Sequence, residues 1–468
     1  MGTRALSKSK AQEKMALFVT ALSSFMGPFV ISSVNVALPA IQKEFAADAV
    51  TLSWVATALL LAIAVFLIPM GRIGDIHGRK KVFAGGLMVY TLASLAGVFT
   101  CHMPMLIAVR VFQGIGAAMF VTTGMAILIS VFAPHRRGRA IGVYVSAVYV
   151  GLCVGPIAGG LLTHYLGWRS VFAVAVPFGV ASVWVSLRYL EGEWADARGQ
   201  KFDLTGSLLY AAAVSLLVYG ASLLPQPPAA WYLAAGALAL IAFAGFELHR
   251  RDPVFDVRLF AANRLFAFSC LAALIHYAAT FALAFLLSLY LQYIKGLDPR
   301  TAGIILVAQP LVMAVCSPLA GRLSDRIEPR LISSVGMMLT SVGLLLFSFL
   351  GTMTTIARIV ATLVMIGFGF ALFSSPNMNA IMGAVDKRFF GIASGAVAAM
   401  RLLGQMASMA VAMVVLSVFM GRHAITPAHY GPFLESVRIS FKIFSVLCVA
   451  GTVFSLARGN LRHRLPDS

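Results

Sequence analysis

Gly71-Arg72-Ile73-Gly74-Asp75 and Gly321-Arg322-Leu323-Ser324-Asp325 are one short charged turn written twice, 250 residues apart, each time between two long apolar runs. A duplicated turn of this kind predicts a chain built from two related halves, with the turn following the second helix of each.

The composition sets the solvent. Of 468 residues 60% are hydrophobic and 11% charged, and the mean hydropathy is +0.90, well outside the range of soluble globular chains. Apolar runs of about 18 to 25 residues, enough to cross a ~30 Å hydrocarbon layer as helix, recur along the chain. Fourteen are predicted, from 16–41 for the first to 438–457 for the last. The repeat tests that count. Eight helices between the two turns allow about 31 residues each, whereas six would need about 42, too long for loops this short. The predicted fold is therefore an all-α polytopic membrane protein. It has a six-helix half in residues 1–190, an inserted helix pair with flanking loops in 191–263, and a second six-helix half in 264–468.

The formal charge of +19, from 36 Lys and Arg against 17 Asp and Glu, follows the loops and forms no nucleic-acid-binding face. Alternating the loops between two sides puts about 26 basic residues on the side of both termini and about 8 on the other. That side is expected to be the cytoplasm and the membrane a plasma or inner membrane. The clusters Arg79-Lys80-Lys81, Arg136-Arg137-Arg139, Arg250-Arg251, Lys387-Arg388 and Arg462-His463-Arg464 read as topology determinants beside anionic lipid. The five cysteines stand singly, without Cys-x-x-Cys or zinc-type His spacing, so neither metal nor cofactor is expected. No Gly-x-Ser-x-Gly or phosphate-binding loop is present to suggest an enzyme. Gly421 to Ser436 reads as the longest outer loop, with His423 and His429 solvated.

Charge inside a span is costly and marks candidate functional residues. Arg110 lies in the predicted fourth span, with Gln113 one turn on and Asn35 of the first span at a similar depth as a candidate acceptor. Arg401 lies near the middle of the thirteenth, and His276 of the ninth has a similar depth and titrates near neutrality. Tyr144, Tyr149, Tyr290, Gln292, Gln309, Ser374 and Asn377 are further polar candidates for a cavity lining. Asp75 ends a helix within reach of Arg79 and Arg139, a contact suited to gating. In the fifth span Gly151, Gly155 and Gly159 share one face for close helix approach, and Pro156 favours a kink.

These motifs carry a family resemblance. Asp75-Ile76-His77-Gly78-Arg79-Lys80 after Gly71 resembles the loop signature of the major facilitator superfamily. Arg110-Val111-Phe112-Gln113-Gly114, Gly151-x-x-x-Gly155-Pro156-x-x-Gly159-Gly160 and Gly167-Trp168-Arg169 follow in the family's order. Fourteen spans, with Asn35-Val36-Ala37-Leu38-Pro39 closing the first, resemble the drug:proton antiporter branch. The resemblance implies a major facilitator fold and proton-coupled export of small amphipathic compounds by alternating access. It also implies a gate at Gly71, Arg72, Asp75, Gly78, Arg79 and Asp325, a flexing seam at Gly151, Gly155, Pro156 and Gly159, and a central role for Arg401 in Arg401-x-x-Gly404. One position departs: the branch carries an Asp five residues before Asn35, and here it is Val30. With embedded arginines and no embedded carboxylate, the cavity is expected to prefer neutral or anionic compounds, small-molecule substrates handled by a monomer in lipid. The alternative is a facilitator or importer of a specific small metabolite on the same scaffold.

Overall fold

The computed structural model describes residues 2–132, 134–190, 192–195, 198–199, 202–249, 263–385, 390–421 and 423–459. Among them all regular structure is helical, and fourteen helices are long and apolar enough to span a bilayer. Spans 1 to 6 are Gln12–Phe45, Ala49–His77, Arg79–Val98, Met103–Val131, Ala140–Leu166 and Arg169–Tyr189. Spans 7 and 8 are Leu204–Leu223 and Pro228–Leu248. Spans 9 to 14 are Arg264–Ile294, Pro299–Ser324, Pro329–Phe347, Ile356–Gly383, Gly395–Met420 and Pro427–Ala457. An even number of crossings returns the chain to the face where it began, here called the terminal face; the opposite one is the far face.

The repeat extends to the other end of the duplicated helix. Span 2 is capped by Asp48, whose carboxylate accepts from the Thr51 amide at 2.8 Å and the Thr51 hydroxyl at 2.6 Å. Span 10 is capped by Asp298, which takes the amide and hydroxyl of Thr301 at 2.9 and 3.0 Å. These Asp-x-x-Thr caps are again 250 residues apart, and each satisfies amides that a helix start leaves without partners. Span 2 passes into span 3 through Gly78 alone, at φ +119°, a conformation that strains any side chain with a Cβ.

Within the first half span 1 packs most extensively on span 5, and span 4 on spans 2 and 3. Gly114 and Gly116 make the latter possible: a Cβ on Gly114 would lie 2.5 Å from the Leu59 carbonyl, and one on Gly116 2.6 Å from that of Gly86. The opening of span 6 pins the far rim. Arg169 grips Glu44 with two nitrogens at 2.6 and 2.8 Å, and the Trp168 indole adds a third donor at 2.7 Å. The halves meet where span 5 lies on span 10, span 2 on span 13, and span 1 on span 9.

One expectation needs correction. Span 14 starts at Pro427, so most of the presumed outer loop Gly421 to Ser436 is helix. Phe433, Ser436 and Val437 are fully buried, and Pro432 falls in the first turn, where its missing N–H costs nothing. The two inserted helices are placed differently. Span 8 is largely exposed, but span 7 packs on both span 2 and span 13, and Ser417 of span 13 donates to the Leu224 carbonyl at 2.5 Å.

Candidate functional site

The two halves are tied together at the far face, and the sequence Asn35-Val36-Ala37-Leu38-Pro39 supplies the reason. In a helix the Asn35 carbonyl would accept from the amide of residue 39, and proline has none. Ser288 of span 9 donates its hydroxyl to that carbonyl at 2.7 Å. Gln292 donates to the Val36 carbonyl at 2.9 Å and to the Ser288 hydroxyl at 3.1 Å, and Tyr293 hydrogen-bonds Gln42. Span 9 winds into a π-helical turn at Tyr290–Ile294 to present these side chains, a local irregularity often found at functional positions. Further ties are the Ala49 amide to the His423 carbonyl at 3.3 Å and Arg300 to the Tyr165 hydroxyl at 3.2 Å.

Span 5 serves both sides of this closure. Its glycines face span 1 within the same half: a Cβ on Gly151 would lie 2.6 Å from the Phe25 carbonyl and one on Gly159 2.5 Å from Ser33 Cα, while one on Gly155 would collide with Ser32. Ser33 donates to the Gly155 carbonyl at 2.8 Å across that contact. The seam between halves lies on the neighbouring face, where the Pro156 carbonyl abuts Gly303 and a Cβ on Gly160 would lie 3.0 Å from Arg300 Cα. Gly151, Gly155 and Gly159 thus hold span 1 to span 5, and Pro156 with Gly160 and Gly303 forms the inter-half contact. Towards the terminal face, by contrast, Gly142 of span 5 and Gly395 of span 13 have no packing neighbour among the described residues within 4 Å of a Cβ position.

Arg401 lies within span 13. Gly404, one turn on, lets span 13 approach span 9 so closely that a Cβ there would lie 2.9 Å from that of Tyr277. The Tyr277 hydroxyl interacts with both the Arg401 guanidinium and Ser374 of span 12, and Tyr149 of span 5 is near enough to act on it electrostatically. Arg401 in turn acts on Tyr144, whose carbonyl is anchored by the Ser24 hydroxyl at 2.8 Å. Arg401, Tyr277, Ser374 and Tyr149 are half-buried and Tyr144 is buried. The Arg401 Nε is buried without a hydrogen-bond partner among the described residues. Phenolic hydroxyls and one cation with unused donors, drawn from both halves, can bind a neutral or anionic polar group.

The other candidates are placed differently. Arg110, 1% exposed, joins spans 2, 3 and 4: it donates to the Val55 carbonyl and to Gln113 Oε1, each at 2.8 Å, and Gln113 passes the chain on to Ser94 at 2.9 Å. Asn35 was the expected acceptor, but the guanidinium donates to Val55 of span 2 and to Gln113 of its own span, and the main-chain carbonyl of Asn35 accepts from Ser288. His276 packs among aromatic side chains and Cys448. It is fully buried, its ring 4.1 Å from Phe373 and 5.0 Å from Phe370, with Nδ1 3.9 Å from Cys448 Sγ. Tyr290, Gln292 and Asn377 also miss the centre: Tyr290 binds the Gly351 carbonyl, Gln292 belongs to the far-face closure, and Asn377 holds Arg458.

At the terminal face Arg79 donates Nε to Asp75 at 2.8 Å and Nη1 to the Ser130 hydroxyl at 2.9 Å, all within one half. Gly74 backs onto Thr123 at 2.8 Å from its Cβ position, and Gly71 onto Thr122 at 3.7 Å. The chain after span 6 closes over Gly78, with the Arg79 amide on the Trp194 carbonyl and the Lys80 amide on Glu193 Oε1 at 2.8 Å. Arg72 lies in the last turns of span 2. The side chains of Asp325 and Arg139, and the cluster Lys387-Arg388, lie outside the described residues. Tyr277, Ser288, Gly303 and Glu193 escaped the sequence reading. Pro39 was the available signal for Ser288, since it advertises a carbonyl needing a donor.

Comparison with known proteins fits this geometry. The chain is 27% identical over 452 residues to the riboflavin transporter RibZ of Clostridioides difficile, covering 95% of this chain and 97% of that one. It is 31% identical over 460 residues to the cephamycin export protein CmcT of Amycolatopsis lactamdurans, covering 95% and 94%. A bacterial homologue of the lysosomal transporter Spinster, solved in an inward-facing and unoccupied conformation, superposes with a TM-score of 0.68 at 16% identity, covering 96% of this chain and 97% of that one. The sequence profile of the Major Facilitator Superfamily matches residues 20–260 and 269–466, and the chain belongs to that superfamily of transporters.

Proposed function

We propose that this protein is a secondary active exporter of small neutral or anionic amphipathic compounds, working as a monomer by alternating access and driven by proton antiport. The terminal face, with its basic loops, is the cytoplasmic one, and the membrane is the cell membrane. Residues 1–190 and 264–468 would rock against each other, with 191–263 riding along the edge formed by spans 2 and 13. In the arrangement described, the far-face ties would close the outer side. Gly71, Arg72, Asp75, Gly78, Arg79 and Asp325 would re-form contacts when the inner side closes, and Arg110 with Gln113 would stiffen the first half.

The observation that carries the substrate class is Arg401 with its unused Nε among tyrosines of both halves, in a chain whose Asp and Glu all lie in loops or near span ends. A lipophilic dication gains nothing from such a site, whereas an anion or a polarised carbonyl does. The named substrates of the two relatives are compatible: riboflavin is a planar uncharged molecule and cephamycins carry a carboxylate.

The test is uptake of labelled anionic, neutral and dicationic amphiphiles into inside-out proteoliposomes with an acidic lumen. Gradient-driven accumulation of anions, lost in Arg401→Gln, is expected. Dication accumulation that survives Arg401→Gln would overturn the substrate class. Val30 in place of an acid supports a second reading, the facilitator, and equilibration without accumulation would establish it over antiport.

A further inference from the structure

A cavity of about 370 Å³ opens on the terminal face of the second half, where span 9 begins, span 11 begins and span 14 ends. Three arginines line it, Arg264, Arg330 and Arg458, together with Leu265 and Leu456. Arg458 is 2% exposed. It is held by Asn377 Oδ1 at 2.6 Å, the Ser269 hydroxyl at 3.3 Å and the Ser333 hydroxyl at 3.2 Å. Its Nε, like that of Arg330, is buried without a hydrogen-bond partner among the described residues. Arg264 lies over the Phe268 ring at 5.3 Å. Glu328, which is not among the lining residues, is near enough to act on Arg458 favourably, and Arg330 opposes it.

The internal repeat shows what belongs there. Lys80 stands 250 residues before Arg330, and in the first half the start of span 3 receives a carboxylate, Glu193, from the chain following span 6. At the matching corner of the second half, span 11 starts with no side-chain cap and the space beside it is the arginine-lined cavity. Positive helix ends and forked guanidinium donors together select oxyanions, phosphate above all. Exposed apolar residues run away from the cavity into the membrane, Val449, Val453 and Leu456 on span 14 and Leu331, Val335 and Met338 on span 11. That is a track for acyl chains.

We propose that this cavity binds a phosphate group, that of an anionic phospholipid headgroup in the same leaflet, and so completes with lipid the corner that Glu193 completes in the first half. Binding is independent of substrate and transport direction.

Purified full-length protein would be delipidated and equilibrated with phosphatidylglycerol or phosphatidylcholine of identical chains, and retained lipid counted by native mass spectrometry. Preferential retention of phosphatidylglycerol is expected, reduced about tenfold in Arg264→Gln/Arg330→Gln and unchanged in Arg188→Gln, an exposed arginine at the end of span 6 on the same face. The single variant Arg264→Gln, exposed and with no hydrogen bond of its side chain among the described residues, should show part of the loss in a protein with unaltered melting. No preference between the lipids, or equal loss in Arg188→Gln, would overturn the proposal. Displacement of the lipid by millimolar inorganic phosphate would overturn the lipid assignment in favour of a free anion.

Discussion

Replacing Ser288 by alanine removes the hydroxyl that satisfies the Asn35 carbonyl at 2.7 Å. Ser288 is fully buried and Asn35 is 6% exposed, so in the far-closed arrangement the carbonyl would be stranded away from water. A lost hydrogen bond nets about 1 kcal/mol, and a stranded buried acceptor raises the cost to about 1–3 kcal/mol. When the far face opens the same carbonyl is hydrated and the penalty disappears. The closed arrangement therefore loses about 1–3 kcal/mol relative to the open one, a shift of roughly 5- to 150-fold in their ratio. Spin labels at Leu166 and Met353, exposed far-face positions on opposite halves, would report this as longer distances in double electron–electron resonance. Pro39→Ala supplies the control, because the new amide at residue 39 satisfies Asn35 from within span 1. In that background Ser288→Ala should cost much less. An unchanged distance distribution in Ser288→Ala, or an equal effect with and without Pro39, would refute the reasoning.

Three further outcomes are expected. Gly404→Leu forces span 13 off span 9, where the Leu274 carbonyl lies 2.3 Å and the Tyr277 Cβ 2.9 Å from the position of its Cβ. The variant should melt earlier by an overpacking cost of about 1–3 kcal/mol and lose anion transport with Arg401 intact; a wild-type melting temperature would contradict the packing argument. Asp298→Ala should destabilise by about 1 kcal/mol at neutral pH, measured by thermal unfolding, while Asp298→Asn keeps the cap. The Thr301 amide, with the Thr301 hydroxyl and His164, holds the Asp298 carboxyl below its usual range. Its contribution is thus complete above about pH 4 and fades as pH falls further, and a difference from Asp298→Ala persisting well below that would rule the cap out. Glu193→Ala frees the Lys80 amide at 2.8 Å and should speed protease cleavage around Gly78; no change would show the 192–195 segment to be a passive cover.

The architecture was legible because its causes are one-dimensional. Span number follows from apolar length against membrane thickness, and the halves follow from a turn that repeats after 250 residues. Even the place of Arg401 and of His276 along their helices could be counted. Rotation about each helix axis could not. His276 and Tyr277 are adjacent, so their side chains leave the helix about 100° apart, and one packs against Phe373 while the other meets Arg401. A helix that is apolar all round carries no stripe to show which face looks inward. The same ambiguity misassigned Asn35 and divided the fifth span's motif between two contacts, Gly155 towards span 1 and Pro156 towards span 10. Which residues meet at the centre was decided by close approaches at Gly404, Gly159 and Gly303, because a missing side chain on one helix acts only through the neighbour that fills its place, and that neighbour exists only once the helices have packed.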